Sequence, residues 1–213
     1  AARCISTSPC STSARRPKFA RCSSRCSKCN RCSKCRAVPA AHPRPARRLP
    51  VVEQADLDAV AGQLGREPRG VLEIAYRCPN GEPAVVKTAP KLPDGTPFPT
   101  LYYLTHPALT AAASRLESAG LMREMTERLE GDAELAAAYR RAHESYLAER
   151  DAIESLGTTF SGGGMPDRVK CLHVVIAHSL AKGPGVNPFG DEALAVLAAE
   201  PGMAGILDPT VWT

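Results

Sequence analysis

The fold class is decided by residues 71–88, which read VLEIAYRCPNGEPAVVKT. In the first half of this stretch Leu72, Ile74 and Tyr76 alternate with smaller or charged residues, which is the two-residue period of a β-strand. The Pro-Asn-Gly cluster at residues 79–81 is a turn signal, and residues 84–88 again carry β-branched side chains. The stretch therefore predicts two antiparallel strands joined by a tight turn.

A third strand and several helices are predicted around this hairpin. Residues 100–105, TLYYLT, combine aromatic and branched side chains after a proline-rich loop, which favours a strand. Apolar residues recur at helical spacing in six other segments, namely residues 53–64, 107–116, 121–129, 132–156, 166–182 and 191–200. The predicted fold class is α+β, a small antiparallel sheet of about three strands packed with five or six helices.

The first 50 residues differ sharply from the rest of the chain. They are basic and rich in Cys, Arg and Ser, and they contain no Asp or Glu, so all 22 acidic residues lie beyond them. We predict a disordered segment over residues 1–50 and a single globular α+β domain over residues 51–213. Because the first methionine is Met122 and a GTG start codon would read as Val51, we interpret residues 1–50 as over-extended reading frame. The alternative is a basic or metal-binding tail.

Charge and hydropathy limit the partners of the domain. The whole chain has a formal net charge of +5, but residues 51–213 are net acidic. We therefore expect no nucleic-acid binding once residues 1–50 are discounted, whereas an unknown protein partner stays open. No apolar run approaches the roughly 20 residues that span a bilayer, and no secretory signal is recognisable, so we expect a cytoplasmic protein without a membrane span.

Five Cys and His residues of the domain are candidate metal ligands. Cys171, His173 and His178 lie in one predicted helix, and Cys78 and His106 follow predicted strands. At about 100° per residue, Cys171 and His173 lie on opposite faces of a helix, so they can share an ion only if the helix begins late. Cys171 and His178 share a face but lie about 10.5 Å apart along the axis. We predict a zinc site built from Cys78, His106, Cys171 and one of His173 or His178.

Two other interpretations of these residues stay open. In the first, the cysteines and histidines are ordinary packed residues. In the second, Cys171 is a nucleophile whose thiol pKa is lowered by Lys170, Arg168 and a helix N-terminus. If a metal is bound, four protein ligands would make it structural, whereas three ligands and a water would permit hydrolysis. The sequence therefore predicts no definite reaction.

A glycine-rich loop with two nearby cations precedes the candidate ligands, in the stretch SGGGMPDRVK at residues 161–170. Backbone N–H groups at a helix start, together with positive side chains, suit an anion. We predict an anion-binding site formed by Gly162, Gly163, Gly164, Arg168 and Lys170. Because no Walker motif is present, a hinge is the alternative.

Several motifs carry a family resemblance, namely DGTPFPTLYYLT at residues 94–105, SRLE at 114–117, GMPDRVKCLH at 164–173 and GVNP at 185–188. Over about residues 52–197 the chain resembles the actinobacterial family known as domain of unknown function number 501.

The resemblance implies a cytoplasmic bacterial protein encoded beside a septum-formation initiator and an exopolyphosphatase-like enzyme. It also implies that cysteine often replaces His106 in relatives, an exchange that a zinc site tolerates. The alternative to a zinc-binding domain is then a non-enzymatic interaction module linked to cell division or polyphosphate metabolism. No established reaction comes with the family.

Overall fold

The computed structural model describes residues 52–212. The predictions of a disordered or over-extended segment over residues 1–50 lie outside these residues. Within them the chain forms a three-stranded antiparallel sheet and six α-helices, so the predicted α+β class is confirmed.

The sheet consists of the hairpin predicted from residues 71–88 and one further strand beside it. Strand β1 (Val71–Arg77) pairs antiparallel with β2 (Pro83–Thr88), and β2 pairs antiparallel with the short β3 (Tyr102–Leu104). The strand order is β1-β2-β3, so β2 is central, and most of its residues are buried while those of β1 are half-buried. The alternation seen in residues 71–77 thus belongs to an edge strand whose side chains are intermediate in exposure up to the exposed Arg77.

Helices account for most of the remaining chain. In chain order they are α1 (Gln54–Leu64), α2 (Pro107–Ser118), α3 (Leu121–Gly131), α4 (Ala133–Ile153), α5 (Leu172–Lys182) and α6 (Pro188–Ala198), followed by a 3-10 turn at Pro201–Met203. None of the helices in the described part of the chain combines the length and the hydropathy needed to cross a membrane.

Helix α5 begins six residues later than the predicted start near Pro166. The reason is that the preceding N–H groups donate outside a helical pattern. The N–H of Lys170 donates to the carbonyl of Gly163 at 2.6 Å, and that of Val169 donates to the hydroxyl of Thr126 at 3.0 Å. The stretch before α5 is therefore a folded turn, and Arg168 and Lys170 lie in it rather than in the first helical turn.

Helix α5 lies at the centre of the core and contacts α2, α6 and β3. It is buried along nearly its whole length. Gly190 of α6 permits the close approach of α6 to α5, because a Cβ there would lie 2.2 Å from the carbonyl oxygen of Val175. The position of the N-terminal end of α5 is thus set by packing on several sides.

Candidate functional site

A cluster of polar side chains forms where α5 begins. Cys171 is the residue just before the helix, and its backbone is extended, with φ −154° and ψ 114°. Because Cys171 is outside the helix, its side chain and that of His173 do not point to opposite faces, and Sγ lies 3.7 Å from Nδ1 of His173. The late helix start that a shared ion requires is therefore present.

The last turn of α2 supplies a third group, Glu117. Its Oε1 accepts a hydrogen bond from the N–H of Leu172 at 2.7 Å and lies 3.1 Å from Nδ1 of His173. One ligand atom from each of Glu117, Cys171 and His173 lies within 4.8 Å of the others, and residues 52–212 contain no second group of three that meets this limit. All three side chains are partly exposed.

The other ring nitrogen of His173 is held from the opposite side. Nε2 lies 3.2 Å from the backbone carbonyl of Thr110 and 3.3 Å from the hydroxyl of Ser114. A carbonyl oxygen only accepts hydrogen bonds, so this network assigns a proton to Nε2. Nδ1 is then the atom that faces both the thiol and the carboxylate.

The electrostatics of the cluster favour a positive charge at its centre. Hydrogen bonding to Cys171 and Glu117 raises the pKa of His173 to about 9, although burial opposes the shift. In the absence of a metal ion, the ring therefore carries a proton at both nitrogens at neutral pH. A cation thus lies between the two acidic groups.

The remaining predicted ligands are not brought into this cluster. Cys78 directly follows β1 and is 3% exposed, and burial raises the pKa of its thiol to about 11. His106 caps the start of α2, where its Nε2 lies 3.2 Å from a carboxylate oxygen of Glu82. Glu117 follows His106 by eleven positions along α2, which is about 16 Å of helix axis. The length of α2 therefore keeps His106 away from the Cys171 end of the molecule.

His178 lies in the middle of α5 among aromatic rings. It stacks on Tyr102 at a centroid distance of 5.8 Å and meets Tyr146 edge-on at 5.2 Å. Its Nδ1 lies 3.4 Å from the side-chain nitrogen of Asn187. Burial lowers the pKa of His178 to about 4, so its ring is neutral. His178 is a core residue and does not join Cys171 and His173.

The five residues predicted to bind an anion come together at a separate cleft. The cleft has a volume of about 290 Å³ and is lined by Phe160, Ser161, Gly162, Gly163, Gly164, Met165, Asp167, Arg168 and Lys170. Ser161 in its wall lies 2.8 Å, by its hydroxyl oxygen, from Nδ1 of His143 on α4.

Glu117 and His143 were not predicted from the sequence, and Ser161 entered only as the first residue of the predicted glycine-rich loop. Glu117 is one of several carboxylates on helical surfaces, and Ser161 and His143 are 18 residues apart. The available signals were Glu117 within the SRLE motif and Ser161 directly before the glycines. Neither signal distinguishes a site from a surface.

These features define the class of the protein, an α+β domain with a Glu, Cys and His cluster at the start of its central helix. The model of the family described as Protein of unknown function (DUF501) matches residues 74–195, and the chain belongs to this family. The predicted resemblance is thereby confirmed, and the matched segment contains both the cluster and the glycine-rich loop. Comparisons with curated proteins and with solved structures give no match.

Proposed function

We propose that the domain binds a divalent metal ion of the zinc type through Glu117, Cys171 and His173. The observation that supports this proposal is that three ligand atoms of different chemistry lie within 4.8 Å of one another at the start of α5. Thiolate sulfur, imidazole nitrogen and carboxylate oxygen are together the ligands that zinc takes in proteins.

The use of the two ring nitrogens favours a metal over a catalytic Cys–His pair. In a relay, one nitrogen faces the nucleophile and the other faces the orienting carboxylate. Here a single nitrogen, Nδ1 of His173, faces both Cys171 and Glu117, at 3.7 and 3.1 Å. The other nitrogen contacts the Thr110 carbonyl, which is how metal-bound histidines are commonly oriented.

Three protein ligands leave one tetrahedral position for water or substrate, as in catalytic zinc sites. The side chains of His173 and Glu117 are 25% and 22% exposed, so solvent reaches the cluster. A zinc ion held in this way would supply Lewis acidity and an activated water. Glu117, Cys171 and His173 would fix its position, and Thr110 would orient the imidazole.

The test compares two cysteine variants of the full chain by metal analysis after incubation with zinc and desalting. We expect Cys171→Ser to lose about one equivalent of zinc relative to the wild type, because a thiolate ligand is removed. Cys78→Ala, at the buried cysteine outside the cluster, should keep the wild-type content. Since both variants carry the same first 50 residues, the difference reports the cluster alone.

Cobalt substitution supplies a second readout. A thiolate-to-cobalt charge-transfer band is expected in the wild type and in Cys78→Ala, and a weaker band is expected in Cys171→Ser, where only the cysteines of residues 1–50 and Cys78 can contribute. If both variants keep the wild-type zinc content and the band, the metal proposal is wrong.

The cluster would in that case be a packed polar group, and the non-enzymatic interaction module would be the better interpretation. The cytoplasmic location, the protein partner and the actinobacterial origin stay predictions.

A further inference from the structure

In the glycine-rich loop the backbone carbonyls accept hydrogen bonds, whereas the backbone N–H groups of the glycines have no acceptor among the described residues. The carbonyls of Gly162, Gly163 and Gly164 accept hydrogen bonds from the N–H groups of Met165, Lys170 and Arg168, at 3.2, 2.6 and 3.2 Å. Nowhere in residues 52–212 does a group accept a hydrogen bond from the N–H groups of these three glycines. Successive free N–H groups of this kind form anion-binding concavities.

A buried arginine extends this polarity to the residues before the glycines. The side chain of Arg150 is 0% exposed and donates to the carbonyl of Thr158 at 3.1 Å and also to the carbonyl of Phe160. The second contact occupies the carbonyl oxygen of a residue that lines the cleft, where a free carbonyl would repel an anion. Arg150 therefore fixes the approach to the loop from α4.

The side chains of the cleft add positive charge. Arg168 and Lys170 are exposed and line it, and neither forms an ion pair with a carboxylate in the part of the chain that the structure describes. Asp167 also lines the cleft. The charges of Asp167, Arg168 and Lys170 together give the cleft a net charge of one positive unit. Unpaired cations beside free N–H groups attract an anion more strongly than either group alone.

A neutral hydrogen-bonding pair completes the wall. Ser161 is 9% exposed, and its hydroxyl lies 2.8 Å from Nδ1 of His143. Burial and the positive charge of Arg140 lower the pKa of His143, so its ring is neutral at pH 7. With the ring proton on Nδ1, His143 would donate to the Ser161 oxygen and leave the hydroxyl proton for an anion, without adding charge to the wall.

Close packing explains why the loop is made of glycine but leaves the free donors and cations unexplained. A Cβ at Gly164 would lie 2.6 Å from the carbonyl oxygen of Arg168, and one at Gly162 would lie 2.8 Å from Cγ1 of Val174. A merely structural loop with these contacts would need neither three free N–H groups nor two unpaired cations.

We propose that this cleft binds a phosphate group, either free or in a small phosphate ester. The N–H groups of Gly162–Gly164 and the Ser161 hydroxyl would donate to its oxygens, and Arg168 and Lys170 would balance its charge. The site is separate from the proposed metal cluster, although Gly163 packs against the carbonyl of Cys171.

The test is a titration of the full chain with inorganic phosphate. Binding is monitored by NMR through the amide resonances of Gly162, Gly163 and Gly164. EDTA is present so that a bound metal cannot contribute. We expect saturable shifts of these three amides. Arg168→Ala and Lys170→Ala are each expected to raise Kd about tenfold, as befits loss of one charge-assisted hydrogen bond.

Arg141→Ala is the matched control, because Arg141 is an exposed cation on α4 that lies about 200° around the helix from His143. It should leave Kd within a factor of about two. The proposal is overturned if the glycine amides do not shift, or if Arg141→Ala weakens binding as much as Arg168→Ala does.

A parallel titration with phenyl phosphate distinguishes the two sources of the phosphate group. Phe160 is 77% exposed at the rim and can stack on the ring of the ester. Affinity several-fold tighter than that of inorganic phosphate, lost in Phe160→Ala, would assign the cleft to esters. Equal affinity would assign it to free phosphate.

The metal proposal can fail independently of this one. Loss of zinc in Cys171→Ser tests the cluster, and phosphate binding in EDTA tests the cleft.

Discussion

His173 and His178 lie five residues apart on α5 and have opposite chemistry. His173, beside a thiol and a carboxylate at the solvent-facing end of the helix, has a pKa raised to about 9. His178, stacked among tyrosine rings in the core, has a pKa lowered to about 4. In the metal-free protein the same side chain is thus a cation at one end of the helix and a neutral packing element in its middle. Neighbours, rather than residue type, decide which histidine can serve a site.

The largest expected effect is a loss of stability in Tyr146→Ala, which removes one of the aromatic rings that contact His178. Tyr146 is fully buried, and its hydroxyl oxygen accepts a hydrogen bond from the N–H of Leu101 at 2.6 Å. We expect the free energy of unfolding to fall by about 4 kcal/mol, measured by urea denaturation. Tyr146→Phe, which removes only the hydroxyl, should cost about 1–3 kcal/mol. Equal losses in both variants would contradict the packing role of the ring.

The next effect concerns the pH dependence of stability, through His178. Its folded pKa of about 4 lies below the roughly 6.5 of an unfolded chain, so the unfolded state takes up the proton first. The contribution is therefore complete above about pH 6.5 and is lost as the pH falls towards 4, amounting to about 3 kcal/mol. Urea denaturation from pH 7.5 to 4.5, in steps of about half a unit, measures it.

His178→Phe is the control for this pH dependence, because it keeps an aromatic ring in the core but cannot titrate. The wild type should lose roughly 2–3 kcal/mol more than this variant over the same interval, since pH 4.5 is still above the folded pKa. Parallel curves for the two proteins would show that His178 does not account for the loss.

A smaller effect on stability is expected at the other end of the helix, from Glu117→Gln. The amide oxygen can still accept from the N–H of Leu172, so unfolding should become easier by only about 1 kcal/mol, from loss of the charge. Zinc affinity should fall more than about 100-fold, because even outer-shell changes cost 10–100-fold. Calorimetric zinc titration measures the affinity. Unchanged affinity would remove Glu117 from the ligand set.

The smallest effect is expected from Ser114→Ala. The hydroxyl lies 3.3 Å from Nε2 of His173, but the Thr110 carbonyl lies closer, at 3.2 Å, and stays in place. The free energy of unfolding should change by less than about 0.5 kcal/mol. Zinc affinity should fall by no more than a few-fold. A large loss of affinity would mean that Ser114, and not Thr110, orients the ring.

Much of the fold was predictable because its signals are local. The alternation in residues 71–77 and the Pro-Asn-Gly turn identify the hairpin without tertiary information. The start of α5 was not predictable, because it depends on Val169 donating to Thr126, 43 residues away. Local patterns do not report such contacts.

The candidate site was predictable only in part, for a related reason. Cys171 and His173 are near each other in sequence and their cluster could be considered directly. Glu117 is about 55 residues away in sequence and reaches them because α2 packs against α5. In the sequence it looks like an ordinary carboxylate on a helix surface. Cys78 and His106 both follow strands, and a position at a strand end does not report its distance from Cys171. For His106 that distance depends on the length of α2.

Helix α2 therefore makes the cluster sensitive to insertions and deletions. Adding one residue between Pro107 and Glu117 would turn Glu117 by about 100° around the helix axis, away from Cys171, while His106 kept its place beside the sheet. The loop at residues 89–99 precedes this helix and could change length without turning Glu117. In family members that keep Glu117, Cys171 and His173, we expect insertions and deletions to occur in that loop and to be absent from α2.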